Sequence, residues 1–210
     1  MTELWHDGPR DATHTFVLAH GAGAPADHPA MQAITERLAN RGLHVVRFEF
    51  PYMARRRSEG KKGGPDRMPV LEATWREVID QLGGGGEVVI GGRSMGGRVA
   101  SRIADDVGAR GLVCLGYPFH PPGKPEKTRT EHLADLRTPS LIVQGTRDPF
   151  GKPDEIASYV LSDPIRVLFI EDGDHGLVPR KKSGRTPEQN LDEAAAAIAA
   201  FIEELDPAEV

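Results

Sequence analysis

From residue 15 onward, short β-branched and apolar runs alternate with stretches in which apolar residues return every three or four positions. That alternation predicts parallel strands joined by crossover helices. Candidate strands cover residues 15–19, 44–50, 87–90, 112–115, 141–143 and 166–170. Most are nearly continuous apolar runs, as expected where helices cover both faces of a sheet. The reading is α/β: one doubly wound, mostly parallel sheet of about six strands with helices on both faces. A single domain spans 1–210.

The intervening helices carry their own punctuation. Asp27 near the cap and Pro29 in the first turn predict a helix start; Met31, Ile34 and Leu38 then share a face, and Gly42 supplies the stop. A second helix begins near Pro69, buries Leu71, Val78, Ile79 and Leu82, and ends at the four glycines 83–86. A last helix places Leu191, Ala195, Ile198, Ile202 and Leu205 on one core-facing stripe. Two segments fit no regular element. Residues 51–69, with Arg55, Arg56, Arg57, Lys61, Lys62 and Arg67 among glycines and Pro65, read as a basic flexible loop. Residues 117–128 hold Pro118, Pro121, Pro122 and Pro125. Neither segment is long enough to fold as a separate cap, so a site beneath them is expected to be open.

Composition narrows the picture. A chain of 210 residues with 39% hydrophobic content can build a core and does not resemble a disordered chain. A net charge of −5 argues against a general nucleic-acid coat, although the 51–69 segment could steer an anionic substrate. The single cysteine, Cys114, excludes an intramolecular disulfide and a Cys-rich zinc site, and no histidine or carboxylate spacing matches a metal geometry. The polar segment 1–15 lacks the apolar core of a secretion signal, and the Ala-rich run 194–202 is far short of a membrane span. The expected location is therefore the cytoplasm, with no membrane partner.

Candidate chemistry begins after the strand that ends at Ile90. Gly92-Arg93-Ser94-Met95-Gly96 separates this strand from a segment of helical spacing. Small residues two before and two after a serine permit a sharp strained turn that projects the hydroxyl outward. A serine hydroxyl is a poor nucleophile at neutral pH and requires a base, itself held by an acid. Asp148 follows the strand at 141–143 and His175 follows the strand at 166–170, giving the chain order Ser, Asp, His. Reactive loops of a parallel sheet gather at the carboxyl ends of its strands, so the three can converge. Asp174 is an alternative acid, and His20, His28 and His120 are alternative histidines near the expected site. The glycine-rich turn His20-Gly21-Ala22-Gly23 after the first strand supplies backbone donors, and the amides of Ala22 and Met95 are the candidate oxyanion hole. His20 is read as a structural donor beneath that loop. Tyr52, Tyr117, Phe119 and Phe150 are candidate substrate-binding residues of an apolar acyl pocket.

These motifs, in this order, resemble those of the α/β-hydrolases across about residues 14–205. HGAGAPADHPAM at 20–31, FEFPYM at 48–53, GGRSMGGR at 91–98, YPFHPPGKP at 117–125 and GTRDPFG at 145–151 are similar to a small lidless branch. That branch is described as dienelactone-hydrolase-like and includes relatives of subunit 3 of the non-specific-lethal chromatin complex. The resemblance implies Ser94 as nucleophile, His175 as base and Asp148 as orienting acid. It also implies strand order 4-3-5-6-7-8 in the usual numbering of that fold; the chain departs from the full pattern in lacking room for a complete pair of N-terminal strands and for a cap domain, and the expected chemistry requires no cofactor. The dienelactone enzymes use a cysteine nucleophile; position 94 is serine and Cys114 lies inside a strand, so their lactone chemistry is not carried over. The expected activity is that of a serine hydrolase acting on a small-molecule carboxylic ester or thioester. A non-catalytic interaction module on the same fold is the alternative.

Overall fold

The computed structural model describes residues 1–60 and 63–205. Its centre is a seven-stranded sheet formed by β1 (Leu4–Asp7), β2 (Thr15–Ala19), β3 (His44–Phe48), β4 (Val88–Arg93), β5 (Gly111–Leu115), β6 (Ser140–Gly145) and β7 (Ile165–Ile170). The spatial order is β1-β3-β2-β4-β5-β6-β7. The pairings from β3 to β7 are parallel, in the order the resemblance implied, and β1 runs antiparallel to β3 at the edge. The six parallel strands match the six expected in number and position, with ends shifted by a few residues.

The seventh strand, β1, is absent from the hydrophobic pattern because all four of its residues are only half-buried. Polar pairing holds it. Arg47 of β3, itself buried, ion-pairs with Asp7 and donates to the Ala26 carbonyl at 2.7 Å. His6 Nδ1 lies 3.0 Å from His44 Nε2, with the two rings stacked.

The principal helices are α1 (Pro29–Ala39), α2 (Pro51–Glu59), α3 (Met68–Gln81), α4 (Met95–Ile103), the short α5 (Pro153–Ile156) and α6 (Pro187–Glu203). The helix at α1 starts as expected, with His28 rather than Asp27 at the cap and accepting a bond from the Ala30 amide. A capping box of Thr186 and Gln189 opens α6. Two apolar clusters occupy the sheet faces: Trp75, Val78 and Ile79 of α3 pack on one side, and Met31, Ile34 and Leu38 of α1 with Ile198 and Ile202 of α6 on the other.

The segment 51–69 departs from the expected loop. Residues 51–59 form α2, because Pro51 fits the first helical turn, Tyr52 and Met53 drop into the core, and Gly60 ends the helix in the left-handed region (φ 66°). Two of its three arginines are tied down: Arg57 ion-pairs with Glu49 and Asp27, and Arg55 with Asp66, whose other oxygen accepts from the Tyr52 amide. Lys61 and Lys62 lie outside the described residues. Among the described residues, no helix is long and apolar enough to cross a membrane.

A polar cluster ties α4 to the Pro-rich segment after β5. His132 Nε2 lies 2.8 Å from Ser101 Oγ, and the Tyr117 hydroxyl donates to the Arg129 carbonyl at 2.9 Å. Burial, reinforced by Arg102 and Arg98, holds the imidazole of His132 down at about 4, against an ordinary 6.5. The unfolded chain therefore binds this proton more readily, so the stability linked to the neutral ring is complete above pH 6.5 and is lost as the pH falls toward 4. The urea midpoint is expected to drop between about pH 7 and 5, and to drop less in His132→Gln; equal slopes for the two proteins would refute the assignment.

Candidate functional site

The turn between β4 and α4 is built on missing Cβ atoms. A Cβ on Gly92 would sit 2.6 Å from the Ala19 carbonyl oxygen, one on Gly96 2.6 Å from the His20 carbonyl oxygen, and one on Gly97 2.7 Å from the Gly92 carbonyl oxygen. Only glycine lets α4 start so close to the ends of β2 and β4. Between them Ser94 adopts φ 49°, ψ −113°, a strained backbone for a residue with a Cβ. Its side chain makes no capping bond to α4, and its amide donates to the Leu115 carbonyl at 2.9 Å, fixing the turn to the end of β5.

Asp148 and His175 meet at the ends of β6 and β7. Asp148 is fully buried. Its Oδ2 lies 2.8 Å from His175 Nδ1 and accepts from Gln144 Nε2 at 2.9 Å, while Oδ1 accepts from the Phe150 amide at 2.9 Å. A carboxylate so satisfied fixes the imidazole with Nδ1 protonated, leaving Nε2 to accept a proton. The ring of Phe150 lies against His175, with centroids 4.3 Å apart. Glycines again make the room: a Cβ on Gly116 would come within 3.2 Å of His175 Nδ1, and one on Gly145 within 2.3 Å of the Gly173 carbonyl oxygen.

The rival acid, Asp174, has other work. Its Oδ1 accepts the amides of Gly176 and Val178 at 2.8 and 3.0 Å, which closes the turn that carries His175. Asp172, one turn back, is held at about 2 by Arg180, with which it forms a close ion pair. Of the alternative histidines, His120 is buried beside Glu155, at 3.3 Å. His20 is buried at the base of the 20–23 loop: Nδ1 lies 2.7 Å from the Gly21 carbonyl oxygen, and Nε2 accepts from the Phe50 amide at 3.1 Å. Burial pushes this imidazole below its ordinary value, as suits a neutral donor–acceptor strut.

Ser94 and His175 share a cleft of about 260 Å³, walled on the far side by residues 21–24, His28, Ala30 and Met31 and floored in part by Arg93. Ala22 lies in this wall, and Met95, the first residue of α4, carries one of that helix's unpaired N-terminal amides. The four aromatic candidates separate. Tyr52, Tyr117 and Phe119 are 2%, 0% and 0% exposed and belong to the core; only Phe150 reaches the site, through His175. Tyr52 serves the site from behind, its hydroxyl lying 3.0 Å from the Ala22 carbonyl oxygen and 3.3 Å from that of Gly21. Cys114 is buried in β5, with its thiol pushed up by desolvation. Among the described residues, no group of three or more His, Cys, Asp or Glu is placed to hold a metal ion.

Two contributors escaped sequence reasoning. Gln144 is a lone polar residue at the end of the apolar run of β6, and that interruption was the available signal. Arg93 sits inside the motif itself but shows its orientation only in three dimensions.

A hydroxyl on a strained turn, an imidazole lining the same cleft and a buried carboxylate bonded to that imidazole are the groups needed to move a proton off a hydroxyl and onto a leaving group. Solved structures share the fold at low identity. A lidless α/β serine hydrolase from Xanthomonas campestris is 18% identical over 100% of this chain and 91% of that one, with a TM-score of 0.72. A dienelactone hydrolase from Anabaena variabilis is 19% identical over 97% and 91%, with a TM-score of 0.69. A monoacylglycerol lipase from Paleococcus ferrophilus is 15% identical over 98% and 100%, with a TM-score of 0.70. The family described as alpha/beta hydrolase domain matches residues 12–203. With nearly the whole chain matched and the sheet order and lidless topology agreeing, the protein belongs to the α/β-hydrolase family.

Proposed function

We propose that the protein is a serine hydrolase that cleaves a small carboxylic ester or thioester through an acyl-enzyme intermediate. The observation that carries this reading is the 2.8 Å bond between His175 Nδ1 and the buried Asp148 carboxylate, in the cleft that Ser94 also lines. Ser94 Oγ attacks the carbonyl carbon while His175 Nε2 takes its proton; Asp148 holds the ring and stabilises the imidazolium. The amides of Ala22 and Met95 receive the developing oxyanion, and the positive end of α4 adds to their field. His175 returns the proton to the leaving alcohol or thiol. Water, deprotonated by the same imidazole, then releases the acid and restores Ser94.

The 260 Å³ cleft lies below the usual range for drug-sized ligands and favours a short acyl group. A fluorophosphonate probe is expected to label wild-type protein at Ser94 and to leave a folded Ser94→Ala variant unlabelled, with ester turnover lost in parallel. Retained hydrolysis by clean Ser94→Ala would overturn the nucleophile, and an unlabelled, folded wild type would favour a binding module on this fold. Tyr52→Phe removes a bond to the oxyanion loop and is expected to lower kcat about tenfold with KM little changed, the weight of one hydrogen bond felt mainly in the transition state. An increase in KM alone would place Tyr52 outside this role.

A further inference from the structure

Arg93 is the one arginine or lysine among the described residues that wall the cleft, and that wall contains no carboxylate. Its Nη1 reaches the Ala30 carbonyl at 3.5 Å, the outer limit of a hydrogen bond. The nearby carboxylates are in large part committed elsewhere. Asp148 is taken by His175, Gln144 and the Phe150 amide, and Asp174 Oδ1 by the amides of Gly176 and Val178. Both act on Arg93 only through space, and burial pulls its guanidinium below the ordinary value. A half-buried guanidinium in the cleft wall, ion-paired to neither carboxylate, keeps donors free, which points to a counter-ion brought by the ligand. The guanidinium presents five donors in a planar fork that matches a carboxylate in two bonds.

The opposite wall suits the same charge. The first turn of α1 contains no acidic residue. His28 Nδ1 accepts from the Ala30 amide at 3.2 Å, which leaves the neutral ring's Nε2–H as a further donor at the mouth.

Resting on the serine-hydrolase reading above, we propose that the substrates are half-esters or half-thioesters of short dicarboxylic acids, with Arg93 as the specificity-determining residue that binds the free carboxylate. Ser94 Oγ forms a bond to the ester carbonyl, the carbon–oxygen or carbon–sulfur bond to the leaving group breaks, and His175 protonates that group. Water then cleaves the Ser94 ester. The net reaction consumes one water and yields the dicarboxylate and the alcohol or thiol.

The test compares kcat/KM for mono-p-nitrophenyl glutarate with that for its neutral analogue, in which the carboxylate is a primary amide. Wild type is expected to favour the carboxylate about 100-fold, the ratio to fall near one in Arg93→Gln, and part of it to return in Arg93→Lys. A ratio near one in wild type, or an unchanged ratio in Arg93→Gln, would overturn the anion site while fluorophosphonate labelling still upheld the hydrolase. No labelling and no turnover of either ester by folded wild type would overturn both. Should Arg93→Gln fail to fold, wild type decides: glutarate is expected to slow labelling of Ser94 and glutaramide to leave it unchanged, and equal effects would refute the proposal.

Discussion

The close approach of α4 to the carboxyl ends of β2 and β4 is the constraint on which the rest of the site depends. At positions 92, 96 and 97 a single added carbon would fall within 2.7 Å of a backbone oxygen, so the helix can begin there only on glycine. With the helix so close, the chain must turn sharply, and the turn forces Ser94 into a positive φ. The strain at Ser94 is sustained by the packing around it: the hydrogen bond its amide donates to the Leu115 carbonyl on one side and the apolar face of α4 against the sheet on the other. The 20–23 loop then follows from the same contact, because Ala19 and His20 are the residues that the glycines admit.

A second set of close approaches, at Gly116 and Gly145, seats the loop that carries His175. The two sets act in different layers. The first fixes where the hydroxyl is, and the second fixes where the imidazole is, with β5 lying between them as a common reference. Asp148 needs no such device. It is buried, and three donors define both of its oxygens.

Much of this was legible in the chain. The six parallel strands are apolar because both faces are covered, and their loops carry Ser94, Asp148 and His175 in a fixed order. What the sequence concealed has physical causes. Strand β1 is held by an ion pair and a histidine contact at an edge, so it leaves no apolar pattern. Helix α2 was hidden by its arginines: a run of charge reads as solvated loop, whereas only Tyr52 and Met53 are needed to anchor a two-turn helix to the core. Phe119 and Tyr117 read as pocket residues because they follow a strand end, yet the prolines around them turn the chain back over the core, where the two rings pack edge to face. Side-chain direction in an irregular segment is a tertiary property, and residue type alone does not report it.

The attachment of the 20–23 loop has a mechanical consequence. His20 bonds to the Phe50 amide, immediately before α2, and the Tyr52 hydroxyl lies within bonding distance of the loop's carbonyls, so loop and helix are joined at two points. The arginine-bearing outer face of α2 is thereby a handle on the interior. A displacement of α2 would reach the 20–23 loop through both His20 and Tyr52, and Gly21 of that loop lies beside Ser94. The helix that looks most remote from the cleft is thereby tied to the turn that carries Ser94.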